Sequence, residues 1–157
     1  MTMEIKKQEP ISAAAKIIVQ SRYPIALIGA GLSVGSGIPT FRGSNGLWTN
    51  LGEPSNNGYE HFLADPKAWW DQNLNDQIDP ERAKFREAIE KAKPNPGHLA
   101  LVDLEKIYVL KHQITQNIDN LHYIAGSKNV TEIHGNRTKL RCISCEVRWQ
   151  RDEFDQI

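Results

Sequence analysis

Two polar segments, each directly after a short apolar run, carry the residue types best suited to chemistry in this chain. The first combines small residues, hydroxyls, an aromatic ring and a guanidinium group. Its members are Gly29, Ala30, Gly31, Ser33, Thr40, Phe41 and Arg42. Where side chains are absent, backbone N–H groups can approach a phosphate closely. This predicts a phosphate-binding turn, with Ser33 as a helix N-cap or a direct phosphate donor. A strand-to-helix turn without a ligand is the alternative.

The second polar segment follows the apolar run that ends near Thr115. Its members are Gln116, Asn117, Ile118 and Asp119. A helix N-cap would explain Asp119 or Asn117 alone, whereas two amides and one carboxylate together suit a carboxamide and a ribose. His134 follows a further apolar run, and a histidine there can act as a general base near neutral pH. His122, on a predicted helix face, is expected to be structural.

Cys142 and Cys145 form a Cys-x-x-Cys pair, which is either a redox motif or half of a zinc site. A structural zinc ion needs four ligands, so one pair is not enough. A redox role is disfavoured, because redox pairs usually open a helix and the flanking residues here are basic and β-prone. Those basic residues also allow a small nucleic-acid-binding module, although a solvated charged face is the commoner explanation. They are Arg137, Lys139, Arg141 and Arg148.

The surrounding elements alternate between helices and strands. Apolar spacing predicts helices over 10–20, 59–75, 80–92 and 98–106, strands over 25–28 and 107–115, and an exposed loop over 50–57. Such alternation predicts an α/β fold, a Rossmann-like parallel sheet with helices on both faces. Ligands in these sheets bind beyond the carboxyl ends of the strands. Both polar segments can therefore face one crevice.

Composition indicates a soluble globular domain. The 157 residues are 39% apolar and 24% charged, and 19 basic residues balance 19 acidic ones. The zero net charge argues against nucleic acid as the main partner. No apolar run reaches membrane-spanning length, and the N-terminus lacks the apolar core of a signal peptide. We expect a protein that is not secreted and lies in the cytoplasm or the nucleus.

Three motifs resemble those of one family. Residues 29–42 fit the pattern G-A-G-x-S-x-x-S-G-I-P-x-F-R, which resembles the signature of the sirtuins, the NAD-dependent protein lysine deacylases. Residues 115–126 fit T-Q-N-I-D-x-L-H-x-x-A-G, and I-H-G follows at 133–135. The Cys-x-x-Cys pair resembles the first half of the family's zinc-binding module. Because the motifs occur in the family's order, the chain is identified as a member over residues 11–145.

The resemblance implies a mechanism and a role for each matching residue. In sirtuins the acyl-lysine carbonyl oxygen attacks C1′ of the nicotinamide ribose; a histidine then deprotonates a ribose hydroxyl, and the acyl group moves to ADP-ribose. By resemblance, Gly29, Ala30, Gly31 and Ser33 would bind the pyrophosphate, and Thr40, Phe41 and Arg42 would form the mobile cofactor loop. Asn117, Ile118 and Asp119 would line the nicotinamide pocket, Gln116 and Asn117 would reach the ribose, and His134 would be the base. Asn117 and His134 are thus the expected catalytic residues.

The resemblance also implies a domain division and a metal. Residues 1–136 would be an incomplete NAD-binding domain with a helical and cofactor-loop insert at about 40–95, and residues 137–157 would begin a zinc-binding module. Cys142 and Cys145 would bind zinc, with the second ligand pair not in this chain. The Thr-Phe-Arg-Gly version of the loop resembles the branch that removes acidic acyl groups. That branch uses a Tyr-x-x-Arg pair, which 70–77 lacks, so we expect poor desuccinylation.

The chain departs from the family where it ends, at Ile157. The family's later cofactor loop and substrate-binding strand have no counterpart here, so we expect the isolated chain to be an inactive portion of a deacylase that acts on acyl-lysine proteins. Two alternatives stay open. One is a module that binds NAD or ADP-ribose without catalysis. The other is an intertwined oligomer that self-associates through exposed sheet edges.

Overall fold

The computed structural model describes residues 2–44, 46–74 and 79–154. In chain order the elements are α1 (Thr2–Gln20), β1 (Ile25–Ile28), a 3₁₀ helix (Ala30–Ser36), α2 (Leu47–Leu51), α3 (Gly58–Ala64), α4 (Pro66–Leu74), α5 (Pro80–Lys91), α6 (Pro96–Lys106), β2 (His112–Thr115), α7 (Leu121–Ala125), β3 (Val130–Glu132), β4 (Lys139–Arg141), β5 (Arg148–Gln150) and α8 (Arg151–Phe154). The chain divides into two compact units, the first formed by Met1–Gly29 with Pro94–Ile157 and the second by Ala30–Lys93. The division at 136 stays a prediction.

A three-stranded parallel sheet is the centre of the first unit. Its order is β1-β2-β3, and the last residues of the strands pair across it, Ile28 with Thr115 and Thr115 with Glu132. The predicted parallel pairing of the first two strands is confirmed. Because the three strands end level with one another, the segments that follow them start at one edge of the sheet.

The second strand begins later than predicted. Residues 107–110 instead close the end of α6, where the Val109 and Leu110 N–H groups donate to the Leu104 carbonyl at 3.0 Å. Tyr108 takes up a left-handed backbone conformation with φ of 61°, which a bulky side chain rarely adopts. This turn ends the helix and delays the strand to His112.

Helices α6 and α7 pack against each other in the first unit. The Asn95 side chain caps α6 by accepting from the N–H groups of Gly97 and His98. The buried members of the two helices are His98, Val102, Leu121 and His122. His122 is 3% exposed, which fits the structural role expected from the sequence.

Helix α1 is longer than the predicted helix over 10–20, and its apolar stripe is exposed. Ile11 and Ile17 are 68% and 66% accessible to solvent. The apolar spacing indicated the helix correctly, but no described residue covers the stripe. Across the described ranges, no helix combines the length and the apolarity needed to cross a membrane.

The second unit is helical, and two of its helices correct the sequence prediction. The single helix predicted over 59–75 is broken at Asp65, because Pro66 begins a new helix and the Asp65 carboxylate accepts from the Ala68 N–H at 2.9 Å. The loop predicted over 50–57 starts two residues later, after α2. Helix α5 agrees with the helix predicted over 80–92, and it buries Phe85 and Ile89. Residues 75–77 of the predicted acyl-recognition region lie outside the described residues.

Candidate active site

The segment after β2 is tied to the end of β1. The Gln116 N–H donates to the Ile28 carbonyl at 3.1 Å, and the Asn117 side-chain amide donates to the Gly29 carbonyl at 3.1 Å. The predicted sites Gly29, Gln116 and Asn117 are therefore in direct contact at the carboxyl ends of neighbouring strands. This is the edge at which open α/β sheets bind ligands.

Gly29 is required by this contact. A Cβ atom at Gly29 would lie 2.5 Å from Nε2 of Gln116, so any larger residue displaces the glutamine side chain. Gly29 thus serves close packing in the first unit, whatever it does for a phosphate. The sequence predicted that Gly29 binds a phosphate, and the structure shows that it also packs against Gln116.

Asn117 and Asp119 are buried, with exposed fractions of 7% and 8%. The Thr115 hydroxyl accepts from the Asn117 N–H at 3.0 Å, and the Asp119 carboxylate accepts from the Leu121 N–H at 3.0 Å. The cap position of α7 is Asn120, in a left-handed conformation with φ of 66°. Asp119 therefore supports the start of α7 as an N-cap would, although it lies one residue before the cap.

His134 is oriented by the same segment. Its Nδ1 lies 3.1 Å from the Gln116 carbonyl oxygen. Because a carbonyl can only accept, this bond places the ring proton on Nδ1 and leaves Nε2 with the lone pair. The side chain is exposed to solvent. A neutral histidine held this way is equipped to accept a proton at Nε2. The Ile118 carbonyl accepts from the Arg137 N–H at 3.2 Å, which fixes the chain beyond His134.

A buried histidine pair lies next to this segment. The rings of His98 and His122 are 5.3 Å apart, centre to centre, and the Asp119 carboxylate acts on the pKa of both. Burial lowers the pKa of each ring, with the Asp119 carboxylate opposing this effect, so both rings are neutral at pH 7. Gln113 of β2 bonds to His122 and to Ser127.

Sequence reasoning missed His98 and Gln113. A polar Gln113 inside an otherwise apolar strand was the available signal. His98, three residues after the cap Asn95, completes a capping box through its own ring, and that spacing was readable too.

In the second unit, the predicted phosphate-binding residues form the 3₁₀ helix. Ala30, Gly31 and Ser33 all lie within it. Ser33 is 1% exposed and stands in the fourth of its seven positions, so the predicted helix N-cap at Ser33 is wrong. Its role toward a phosphate stays a prediction. A Cβ atom at Gly31 would meet nothing within 4 Å, so the protein itself leaves this position open.

The predicted cofactor loop is held against α2 and α5. The Phe41 ring lies 4.7 Å from Trp48 and 5.1 Å from Phe85. Arg42 places its guanidinium 4.7 Å above the Trp48 ring and donates to Glu53 at 2.7 Å. The Thr40 hydroxyl donates to the Arg42 carbonyl at 2.7 Å. The loop is thus held by ring contacts, one exposed ion pair and hydrogen bonds of its backbone.

Gly46 is a third residue that sequence reasoning missed. A Cβ atom there would lie 2.7 Å from the Phe41 carbonyl oxygen and 2.7 Å from the Arg42 carbonyl carbon. Both atoms belong to the backbone and cannot rotate away. Gly46 therefore permits the close turn that places Phe41 beside Trp48, whose N–H donates to the Phe41 carbonyl at 2.8 Å. The only signal was one more glycine in a loop already rich in them.

The two cysteines lie in the turn between the antiparallel strands β4 and β5. The Cys142 N–H donates to the Val147 carbonyl at 2.9 Å, and the backbone N–H groups of Cys145 and then Ser144 lower the pKa of the Cys142 thiol. Backbone donors that favour a thiolate suit a zinc ligand. No third metal-binding side chain joins the pair within 2–44, 46–74 or 79–154.

The basic residues around the cysteines are not a free patch. Lys139 pairs with Glu132 at 3.0 Å and lies 4.2 Å above the Tyr123 ring. At least one member of the proposed nucleic-acid-binding face is thus engaged by β3 and α7 of its own unit. The position of the cysteines in a hairpin turn also differs from the helix start that redox pairs favour.

A known protein family and its curated members match most of this chain. The profile of the Sir2 family matches residues 29–157. A protein of Pyrococcus furiosus named NAD-dependent protein deacylase is 45% identical over 148 residues, which are 94% of this chain and 55% of that protein. The deacylase of Thermococcus kodakarensis is 47% identical over 92% of this chain and 52% of its own length. The chain spans about half the length of these curated relatives.

Solved structures of Sir2 proteins are also similar to this chain. The crystal structure of a Sir2 homologue with NAD is 41% identical, with a TM-score of 0.65 over 88% of this chain and 51% of the other. A Sir2 variant with a deacetylated p53 peptide and 3′-O-acetyl ADP-ribose is 33% identical, with a TM-score of 0.68 over 93% of this chain and 55% of the other. The predicted Rossmann-like fold is confirmed by this likeness. The chain belongs to the Sir2 family.

Proposed function

We propose that the protein is an NAD-dependent protein lysine deacylase, which transfers the acyl group of an acyl-lysine to ADP-ribose and releases nicotinamide. One observation carries the proposal. The Nδ1 of His134 is bonded to the carbonyl of Gln116, and Gln116 belongs to the segment that holds Asn117 and Asp119 at the ends of the strands. The names of the relatives from Pyrococcus and Thermococcus support it.

NAD would supply the ribose carbon that accepts the acyl oxygen and the nicotinamide that leaves. The chain's own contribution is binding, orientation and one base. Asp119 and the Ile118 backbone would bind the carboxamide, Gln116 and Asn117 would hold the ribose, and His134 would take a proton at Nε2. No protein nucleophile is needed for this reaction. In the second unit, Ala30, Gly31 and Ser33 would bind the pyrophosphate, and Phe41 would exclude water.

The proposed substrates are acetylated lysines of proteins. The Sir2 complex with a deacetylated p53 peptide supports a protein substrate. We propose acetyl in preference to succinyl, since residues 70–77 contain neither a tyrosine nor an arginine that could bind a second carboxylate. A succinyl-lysine peptide turned over faster than its acetyl equivalent would contradict this preference. Location in the cytoplasm or the nucleus stays a prediction.

We also propose that Cys142 and Cys145 bind structural zinc. The residues fit this metal, since a tight turn presents two sulfurs and backbone N–H groups favour the thiolate form of Cys142. Two more ligands must come from elsewhere than the described residues. Zinc would hold the hairpin β4–β5 and supply no chemistry to acyl transfer. Zinc retained through dialysis by the native protein, and lost on Cys142→Ser, would support the site.

Self-association is a second proposal, and exposed apolar residues of β1 favour it. Ile25 and Leu27 are 53% and 79% exposed on an end strand of the three-stranded sheet. Such a strand offers unpaired backbone groups and apolar surface to another chain. Light scattering of the native protein would show a dimer or larger assembly, and Leu27→Lys would return it to a monomer. A monomer at all concentrations would contradict the proposal.

The test of the proposed function uses the longest natural reading frame that contains these residues. We expect acetyl-lysine peptide and NAD to give acetyl-ADP-ribose, detected by mass spectrometry. His134→Ala should lower the rate by about 10²–10⁴-fold, the contribution of a general base. His112→Ala, which loses a bond to Thr131 in the same unit, is the matched control and should keep the rate. Equal rates for His134→Ala and the native protein would contradict the assigned base.

A further inference from the structure

The hydrogen bonds of the buried histidine pair define a different tautomer for each ring. Nδ1 of His98 accepts from the Asn95 backbone N–H at 3.3 Å. A backbone N–H can only donate, so Nδ1 of His98 carries the lone pair and the proton lies on Nε2. His98 therefore presents a donor at its second nitrogen.

His122 has the opposite arrangement. Its Nδ1 lies 3.1 Å from Oε1 of Gln113, and Nε2 of Gln113 donates to the Ser127 hydroxyl at 2.9 Å. With the Gln113 amide in this orientation, its Oε1 faces His122 and can only accept. His122 thus carries its proton on Nδ1 and presents a lone pair at Nε2.

The two second nitrogens are buried and have no partner among the residues that the structure describes. One is a donor and the other an acceptor, and their rings are 5.3 Å apart at an interplanar angle of 62°. Buried polar atoms are nearly always paired, and a single water both accepts and donates. A metal ion does not suit this pair, because no third ligand side chain joins it within the described ranges.

We propose that one buried water joins Nε2 of His98 to Nε2 of His122, and that this bridged pair positions the segment containing Asn117 and Asp119. The chain of bonds then runs from Asn95 through His98, the water and His122 to Gln113 and Ser127. His98 and His122 are positioning residues, since they act on the site through the backbone.

The placement of the chain of bonds explains the positioning role. Gln113 belongs to β2, directly before the polar segment, and His122 belongs to α7, directly after it. Their side-chain bond therefore clamps the two ends of the segment together. His98 adds α6 as a third support, through the water. Two carboxylates, of Asp119 and Glu132, act on the His122 ring and would favour its protonated form, whereas burial keeps it neutral.

The bridge itself is tested by NMR on the chain as it is, without any assay of activity. We expect ¹⁵N shifts that place the proton of His98 on Nε2 and that of His122 on Nδ1, and a magnetisation-transfer peak between His98 Hε2 and a slowly exchanging water. The same tautomer in both rings would overturn the proposal. So would a scalar coupling across a direct N–H···N bond between the rings.

The positioning role rests on the proposed function and is tested by kinetics in the longest natural reading frame. His122→Asn keeps a donor near Nδ1 for Gln113, whereas His122→Phe removes it. We expect about a tenfold lower kcat for His122→Asn and about a hundredfold lower kcat for His122→Phe. The KM for the acyl peptide should be unchanged, while the KM for NAD rises.

The matched controls are the same substitutions at His112. Unchanged kinetics in both His122 variants would overturn the positioning role, and so would equal losses in the two. A melting-temperature loss that fully accounts for the lower activity would overturn it too. If the native protein has no deacylase activity, the proposed function fails, and the NMR result still decides the bridge.

Discussion

The segment after β2 and the loop after Pro39 carry the two halves of the predicted site, and their side chains are held by different kinds of contact. In the first unit, residues 116–119 are fixed by hydrogen bonds to the end of β1 and to the start of α7, and Asn117 and Asp119 are buried. In the second unit, a backbone bond from Trp48 holds the Phe41 carbonyl, while the side chains of Phe41 and Arg42 are held by ring contacts and by an ion pair whose two members are both exposed.

The difference fits the tasks proposed for each. A carboxamide and a ribose must be oriented within fractions of an ångström, which a buried polar network can do. A loop that covers a cofactor must release, and exposed ion pairs with few ring contacts give way at low cost. We therefore expect proton uptake by the buried histidines to destabilise the segment after β2. We expect the loop after Pro39 to be destabilised by an added side chain that crowds its backbone.

Gly46→Ala is the strongest perturbation of the loop. The new Cβ atom would meet backbone atoms of Phe41 and Arg42 at 2.7 Å, so the loop must shift. We expect a loss of about 1–3 kcal/mol in the free energy of unfolding, typical of overpacking, measured by urea denaturation. Gly58→Ala in α3 is the control, because a Cβ atom there meets nothing within 4 Å. An equal effect of both substitutions would contradict the account.

Mild acid should weaken the first segment. Burial lowers the pKa of His98 and His122 below the ordinary 6.5, so the unfolded chain takes up protons that the folded chain does not. The contribution of the two rings to the free energy of unfolding is therefore fully present above pH 6.5. It is lost as the pH drops from 6.5 toward the pKa values of the two rings in the folded chain. Melting temperatures between pH 7.5 and 5.5 measure this.

The histidines themselves supply the control for the acid response. His122→Gln should flatten the pH dependence, because one of the two titrating rings is gone. His61→Gln, at an exposed residue of α3, is the control for the loss of a histidine outside the pair. A profile that is flat in the native protein, or equally steep in all three, would show that the pair does not remain neutral on folding.

The smallest effect is expected for the exposed pair of Arg42 and Glu53. Glu53→Gln removes the charge partner while the ring of Trp48 still supports the guanidinium. Because solvent screens both groups, we expect no resolvable change in melting temperature. The loop should close on the cofactor slightly faster, seen as a lower KM for NAD. A drop of several degrees would show that the ion pair is a main support of the loop.

Much of the site was readable because its residues follow short apolar runs. The four apolar residues at 25–28 predicted β1, and the apolar spacing over 80–92 predicted α5. Both predictions rest on the spacing of residues that lie close together in the sequence. The alternation of helices and strands was enough to predict a parallel sheet, and with it the edge at which both polar segments begin.

What the sequence could not show depends on contacts between distant residues. The left-handed turn at Tyr108 has no local signature, and nothing near Ile11 indicates that its helix face would stay exposed. Gly46 matters only because the Phe41 backbone passes beside it. The break before Pro66, by contrast, had an available signal, since proline begins helices readily.

The central claim is that Asp119 and His134, held by one segment, act at different steps. Exchange of labelled nicotinamide into NAD, measured beside acyl transfer with an acetyl-lysine peptide, separates those steps in the longest natural reading frame. We predict that Asp119→Asn lowers both rates by at least about 10²-fold, the usual effect of removing a stabilising polar group. His134→Ala should lower acyl transfer by about 10²–10⁴-fold and leave exchange near its native rate. Equal loss of both rates in His134→Ala, or undiminished exchange in Asp119→Asn, would contradict the account.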